Sequence, residues 1–563
     1  MDRAEIVHEN FLSRVAKGDF PPRRSAVTLA ESGLDAEGLV GIYRSQVLSR
    51  QLDRTSRKLQ ARGEGFYTIG SSGHEGNAAI AAAFRLDDMA FLHYRDAAFQ
   101  IERAAKLPGQ TIAYDMLLSF AASAEDPISG GRHKVLGSKA LFIPPQTSTI
   151  ASHLPKAVGA AFSIGLARRL KPAGQQLRPD GVVLCSFGDA SANHSTAQGA
   201  FNTAAWTAYQ GAAMPLVFIC EDNGIGISTK TPRGWIEASF RDRPGLRYVR
   251  CSGLDVLETY KTASEVAHYV RRQRKPVFLH MECVRLYGHA GSDMQTVYLA
   301  KEEVEAWEAD DPLLHTAGIL LGGGVLSAGA GIPLYEETGA RVARIAEEAI
   351  TRPKLVTPAE VMASLVPPKR ALAASNGPSA EARAEMIGAA DLEAMQKPQH
   401  MARLINWALA DLMLEHGEIV LCGEDVGPKG GVYNVTQKLH ARFGGDRVIN
   451  TLLDEQSILG LAIGMAHNGF LPIPEIQFLA YLHNAEDQVR GEAATLSFFS
   501  NGQYSNPMII RIAGLGYQKG FGGHFHNDNS IAVLRDVPGV VIATPSNGGD
   551  AVPMLRECGR LAR

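Results

Sequence analysis

The sequence predicts an α/β protein made of two units, each a parallel sheet flanked by helices. Three observations carry that reading. From about residue 40 to 320, short apolar β-branched runs alternate with stretches of helical apolar spacing. The same alternation resumes near Met401 and continues toward the end of the 563-residue chain. Between the two lies a stretch rich in Gly, Pro, Ala and Ser.

Residues 1–45 read as a helical arm. The opening "MDRAEIVHENFLSRVAKGDF" carries acids and has no apolar core, so it is not a secretory signal. Residues 46–320 form the first unit. Its clearest part is "GVVLCSF" (181–187), then the Ala-rich "STAQGAFNTAAW", then "MPLVFIC" (214–220), a strand–helix–strand pattern. A further strand, "PVFLHMECV", follows "RRQRK" at Arg271–Lys275, which is expected to be a solvated helix end. Residues 321–395 read as an extension and linker: a glycine-rich loop "LGGGVLSAGAGIP", an amphipathic helix "TGARVARIAEEAITR", and the flexible "PPKRALAASNGPSAEARAE". Residues 396–563 form the second unit, with "EIVLCGEDV", "RVINTLLDEQSILGLAIGMAHNG", "LPIPEIQF", "NPMIIRI" and "GVVIATP" each a strand candidate followed by glycine or acid.

Composition removes several function classes. A net charge of −3 offers no general attraction to nucleic acid or to an acidic membrane. Six cysteines without a Cys-x-x-Cys pair argue against a disulfide framework or a zinc ribbon. A zinc set of His280, Cys283 and His289 is rejected because "VFLHMEC" alternates like a strand. No run of 18 apolar residues exists, so no membrane span is expected, and the location expected is cytoplasmic.

The chemistry sits at two strand ends. "GVVLCSF" runs into Gly188-Asp189, and "MPLVFIC" into Asp222-Asn223-Gly224. Ligands of open parallel sheets bind outside the carboxyl ends of the strands. The Asp189 and Asn223 side chains with the Ile225 carbonyl make an all-oxygen set suited to Mg²⁺, which completes its shell with phosphate oxygens and water. Glycines 188, 224 and 226 would let the backbone approach a diphosphate. The competing reading is that Asp189 merely caps the following helix.

The segment from Gly188-Asp189-Ala190 to Asn223 resembles the thiamine diphosphate motif of the 2-oxo acid dehydrogenases, in their decarboxylating component. Ala190 stands for the second glycine of that motif and Asp222 for its first asparagine. "LHYRDAAF" resembles the family's Tyr-Arg motif, which implies that Tyr94 and Arg95 contact the diphosphate. "TSTIASHLPKAVGAA" resembles the segment that supplies Ser148 and a bulky apolar residue, Ile150, beneath the cofactor rings. "RLYGHAGSDM" resembles the Gly-His loop, putting His289 in the active site. In the second unit "TLLDEQSILG" resembles the motif whose glutamate, Glu455, bonds the aminopyrimidine, with Leu453 beside it. The apolar neighbours Leu452, Leu453 and Ile458 would favour proton sharing there. "EIQFLAY" implies Gln477 and Tyr481 near the pyrimidine, and "GGHFHNDNS" a histidine, best aligned as His526, with His524 as competitor.

The resemblance implies two thiamine-diphosphate-binding-fold domains, α-like then β-like, on one chain. It implies thiamine diphosphate and Mg²⁺ as cofactors, and oxidative decarboxylation of a 2-oxo acid with acyl transfer to a lipoyl group of a partner dihydrolipoyl acyltransferase. "FYTIG" and "EIQF" favour a branched-chain acid over pyruvate. A homodimer is expected, since family members assemble as α₂β₂. The alternatives are another thiamine enzyme, transketolase-like or acetoin-cleaving, and a catalytically silent fragment or scaffold. The family's β-like half continues into a further domain after the "GVVIATP" region, so a fragment lacking that domain is expected.

Overall fold

A computed structural model describes residues 3–65, 69–147, 149–366, 377–516 and 522–562. Ser148 and Phe66–Thr68 of "FYTIG" lie outside the described residues. The first half opens on helices α1 (Arg3–Lys17) and α2 (Ala36–Ala61) and contains a sheet of β1 (Met89–Phe91), β2 (Val183–Gly188), β3 (Leu216–Asp222), β4 (Arg247–Ser252) and β5 (Val277–Glu282). The strand order is β1-β2-β3-β5-β4, and every pairing is parallel. Helices α3 (His153–Leu170), α4 (Ser195–Tyr209) and α5 (Val256–Gln273) cover the sheet. Parallel strands buried on both faces need apolar residues at nearly every position. One face packs Phe187, Phe201, Phe218 and Phe278; the other packs Leu184, Ile219 and Leu279.

After α6 (Ala328–Ala349), the second half carries α7 (Met401–Glu415) and a sheet of β6 (Ile419–Gly423), β7 (Val448–Asn450), β8 (Leu471–Ile476) and β9 (Arg511–Ile512), with α8 (Glu455–Ala466) and α9 (Gly548–Leu561). Its order is β7-β6-β8-β9, again parallel. Among the described residues no helix is long and apolar enough to cross a membrane.

Four expectations are corrected. The 539–545 run forms no strand: Val541 and Ile542 are exposed, and no described strand pairs with it. Its β-branched composition suits a pleated surface but cannot replace a ladder partner. Residues 328–333 of the supposed glycine-rich loop form the first turns of α6, with Pro333 inside the helix. Arg271 is not simply solvated; it pairs with buried Asp88 at 2.6 Å, while Arg274 donates to the Gly181 carbonyl, tying the end of α5 to the loops entering β1 and β2. Finally, the described part of the linker is docked. Arg383 pairs with Asp411 at 2.7 Å, and Asp391 accepts from Arg403 and Arg442.

The halves are held by a helix crossing rather than by their tether. A Cβ on Gly460 would fall 2.0 Å from Pro155 Cβ, one on Gly464 2.2 Å from Ala160 N and Lys156 O, and one on Gly159 2.4 Å from Leu461 O. Gly460 and Gly464 are four apart and share one face of α8, so α3 and α8 meet backbone to backbone. Pro155 lies against Gly460 and Ala160 against Gly464, so both helices run the same way. Beside this seam Lys156 Nζ meets Glu492 Oε2 at 2.5 Å, both side chains 1% exposed.

Gly464→Ala should force α3 and α8 apart and lower the denaturation midpoint by an overpacking cost of about 1–3 kcal/mol. Gly165→Ala is the control, because its Cβ would have no neighbour nearer than 3.5 Å. It should be neutral or slightly stabilising. Equal effects in urea melts of the two variants would contradict the close crossing.

Candidate active site

The first group lies at the carboxyl ends of β2 and β3, which pair Gly188 with Glu221. Asp189 is 1% exposed and caps nothing; its Oδ2 accepts the Thr231 hydroxyl. Burial, reinforced by the nearby Asp222 carboxylate, pushes the Asp189 carboxyl up to about 7. Asn223 Oδ1 accepts from Ile225 N at 3.1 Å, an Asx turn that folds the Ile225 backbone back beside the amide. Gly224 has φ +77, the left-handed conformation that favours glycine. A Cβ on Gly226 would meet the Ala190 methyl at 3.1 Å, so a glycine there leaves room for the alanine that departs from the motif. Arg285, at the head of the Gly-His segment, donates to the Gly226 and Ile227 carbonyls and fixes this loop.

Tyr94 and Arg95 follow β1 at the same end of the sheet. Arg95 is buried, donates to the carbonyls of Gly70 at 2.6 Å and His289 at 3.0 Å, and lies over the Tyr94 ring. It therefore braces two loops instead of pairing with a surface acid. The His289 ring meets Tyr94 edge-on with 6.4 Å between centroids. Burial, with Arg95 and Arg285 adding to it, lowers the His289 imidazole to about 4, leaving it neutral near pH 7. Ile150 is 41% exposed.

In the second half Glu455 opens α8, and its Oε2 accepts from Asn484 Nδ2 at 2.9 Å. Its surroundings are less apolar than expected: Ile458 is buried, but Leu453 is 73% exposed and Asn484 supplies a donor. Gln477 follows β8, and the Tyr481 hydroxyl meets His526 Nε2 at 3.1 Å. The His526 ring also packs edge-on against Phe478, whereas His524 stacks on Phe525. The structure thus brings His526, and not His524, to the Gln477–Tyr481 segment.

The two groups converge through the helix crossing. His153, the first residue of α3, bonds the Ser186 carbonyl near the end of β2 at 2.8 Å, so α3 starts at the carboxyl end of the sheet. Because α3 and α8 run the same way, Glu455 begins α8 at that end too. Thr149, next to Ile150, donates to Asp487, three residues beyond the Asn484 that holds Glu455. Thr203 of α4 donates to Ser457 of α8 at 3.0 Å. Thr231, His74 and Asn484 were not singled out from sequence. Each acts on a residue at least 29 positions away, a separation that leaves no periodic trace.

The residues fit a metal-bound diphosphate. A buried carboxylate with a hydroxyl as its partner, beside an amide oxygen and a backbone carbonyl, is a hard oxygen set lacking a positive charge. The rejected zinc set is dispersed: His280 Nε2 bonds Asp222 Oδ2 at 2.8 Å, Cys283 lies by His74, and His289 by Arg95.

Fold and site together define the class, two thiamine-diphosphate-binding-fold domains that meet at the carboxyl ends of their sheets. Residues 43–356 match the family described as "Dehydrogenase E1 component", and residues 397–561 match "Transketolase, pyrimidine binding domain". The chain belongs to the dehydrogenase E1 component family, with alpha-like and beta-like halves on one polypeptide. It is 30% identical over 329 residues to the 2-oxoisovalerate dehydrogenase subunit alpha of Bacillus subtilis, covering 57% of this chain and 93% of that relative. It is 39% identical over 160 residues to the pyruvate dehydrogenase E1 component subunit beta of Staphylococcus epidermidis, covering 28% of this chain and 47% of that relative. It is 38% identical over 158 residues to the 3-methyl-2-oxobutanoate dehydrogenase subunit beta of Mycobacterium tuberculosis, covering 28% and 44%. The chain spans about half the length of the beta-subunit relatives it matches.

The raised Asp189 carboxyl has a definite linkage sign. Below about pH 4 it is protonated in folded and unfolded chains alike. As pH rises from there through about 7, the unfolded chain ionises first and the cation-free fold loses stability. A cation that binds the ionised form reverses this loss. The thermal gain from Mg²⁺ plus thiamine diphosphate should therefore grow between about pH 5.5 and 7.5 and flatten above. Asp189→Asn should abolish the growth. A pH-independent gain in thermal-shift measurements on the parent protein would rule out Asp189 as a cation ligand.

Proposed function

We propose that the chain catalyses the oxidative decarboxylation of a 2-oxo acid, with a branched-chain acid as the favoured substrate. The reading is supported chiefly by the convergence of Asp189, Asn223 and Ile150 with Glu455 at one end of the α3–α8 pair. In the overall step the C1–C2 bond of the oxo acid breaks and carbon dioxide leaves. The acyl carbon is oxidised to a thioester as the lipoyl disulfide of a partner acyltransferase is reduced. Bound in this cleft, thiamine diphosphate supplies the nucleophilic carbon and the electron sink.

Asp189, Asn223 and the Ile225 carbonyl would hold Mg²⁺, and through it the diphosphate; Tyr94 and Arg95 would flank the phosphates. Gly188 and Ala190 let the backbone approach. Ile150 and Leu453 supply apolar surface for the rings, with Gln477 and Tyr481 beside the pyrimidine. The Glu455 carboxyl shares a proton with the aminopyrimidine nitrogen. His289, neutral near pH 7, can take up or return a proton at the reacting carbonyl, and His526, oriented by the Tyr481 hydroxyl, faces the same step or the incoming dithiolane. A homodimer is the assembly proposed.

Glu455→Gln should bind cofactor within an order of magnitude of the parent yet slow hydrogen–deuterium exchange at the thiazolium C2 by about 10²–10⁴-fold. Parent-like exchange would make Glu455 structural. Turnover of 3-methyl-2-oxobutanoate and of pyruvate with an artificial electron acceptor tests the substrate. Preference for pyruvate would overturn the branched-chain choice, and carbon–carbon ligation without oxidation would favour a transketolase-like enzyme.

A further inference from the structure

Behind Asn223 lies a buried group the mechanism above does not use. His74, Glu221 and His93 are all buried, and their ligand atoms lie within 4.8 Å of one another, a composition suited to a metal. The geometry argues against a shared ion. His74 Nδ1 and Glu221 Oε2 are 2.5 Å apart, a hydrogen bond, whereas two ligands on one tetrahedral zinc with bonds of 2.0–2.1 Å stand about 3.3 Å apart. Both His74 nitrogens are already committed: Nδ1–H donates to Glu221, and Nε2 accepts from Asn223 Nδ2 at 3.0 Å.

We infer that His74 is a positioning residue that fixes which way the Asn223 amide faces. An asparagine amide has a donor end and an acceptor end of the same shape, and only the oxygen can ligate a cation. Glu221 sets the His74 tautomer by taking the Nδ1 proton, which leaves a lone pair on Nε2. That lone pair holds the NH₂ of Asn223, so Oδ1 must face the other way, where it accepts from Ile225 N. A flipped amide would set its oxygen against the Nε2 lone pair and its NH₂ against the metal. His74 is itself held from two sides. Glu75 beside it pairs with Arg50 at 2.7 Å and accepts from Gly73 N at 2.7 Å, and Glu221 accepts from Asn77 at 3.2 Å. A Cβ on Gly73 would strike the Val284 carbonyl at 2.0 Å, so the loop has little freedom to move.

This inference rests on the reading of Asn223 as a cation ligand, and a double-mutant cycle separates the two. Mn²⁺ binding to the full chain, saturated with thiamine diphosphate, is measured by electron paramagnetic resonance of the free ion. His74→Leu should weaken Mn²⁺ by about tenfold, the scale of one lost hydrogen bond. His74→Gln, whose amide oxygen can accept from Asn223, should stay within about threefold. In an Asn223→Asp background, where the carboxylate presents oxygen either way round and one oxygen always meets the Nε2 lone pair, His74→Leu should cause no loss of affinity. Where the leucine variant does not fold, His74→Met takes its place in both backgrounds. Equal losses in the parent and in the Asn223→Asp background would assign His74 a merely structural role and overturn the inference, as would unchanged affinity in His74→Leu. Unchanged Mn²⁺ binding in Asn223→Ala would overturn the ligand assignment itself, a result distinct from both.

Discussion

The backbone contact between α3 and α8 is the constraint on which the rest depends. Each helix offers glycine where the other offers main chain: Gly159 against Leu461, Gly460 against Pro155, Gly464 against Ala160. Contact this close leaves few ways to slide or rotate one helix on the other, because any shift brings larger side chains into the seam. The buried Lys156–Glu492 pair adds a polar lock. Such pairs contribute little net stability, but breaking one strands a charge, so they penalise wrong registers more than they strengthen the right one. Register here sets how far Glu455 stands from Asp189 and Asn223, the residues of the proposed site.

A second constraint is electrostatic. The carboxyl ends of β2 and β3 gather Asp189, Glu221 and Asp222, with Asp96 buried close behind. Burial raises the Asp96 and Glu221 carboxyls as well, each by removing water from the charged form. Arg95 and Arg285 stand nearby, yet the bonds their guanidinium groups make go to backbone carbonyls, the His289 ring and the Tyr298 hydroxyl, not to these acids. The cation-free fold therefore carries an excess of buried acid at its functional end. A divalent ion bound as proposed would relieve it, and would so add to the stability of the fold that holds it.

What could be read in the sequence follows from the range of the interactions involved. β2, β3 and β5 were legible because strands buried on both faces leave unbroken apolar runs, and the place of Asp189 and Asn223 just past the ends of β2 and β3 was legible because polar residues there break those runs. "GVVIATP" misled because composition reports what a strand would bury and not whether a partner strand is present. The first turns of α6 misled because glycine and proline near a helix start look like a loop until neighbours settle the matter. The ordering of His526 over His524 needed the Tyr481 hydroxyl, 45 residues away. His74 lies 147 residues from Glu221, and nothing local distinguishes it from any histidine in a glycine-containing loop. Ligand-bearing motifs are local and visible, while the residues that orient them are long-range and appear only in the fold.

Joining the halves changes the energetics of this arrangement more than its geometry. The relatives are named as separate alpha and beta subunits. Association of two bodies loses translational and rotational freedom worth an estimated 4–15 kcal/mol at standard state. A covalent connection between α6 and α7 replaces most of that loss with the smaller, slowly growing entropy of closing a loop. It cannot replace the fit. A tether of this length permits many mutual orientations, and catalysis tolerates placement errors of only about 0.5 Å. Orientation therefore still falls to Gly159, Gly460 and Gly464, to Lys156 with Glu492, and to the Thr149–Asp487 and Thr203–Ser457 bonds. The connection raises the local concentration of one half around the other, and the glycine seam selects, among the encounters it allows, the one that sets Glu455 at the carboxyl end of the sheet that carries Asp189 and Asn223.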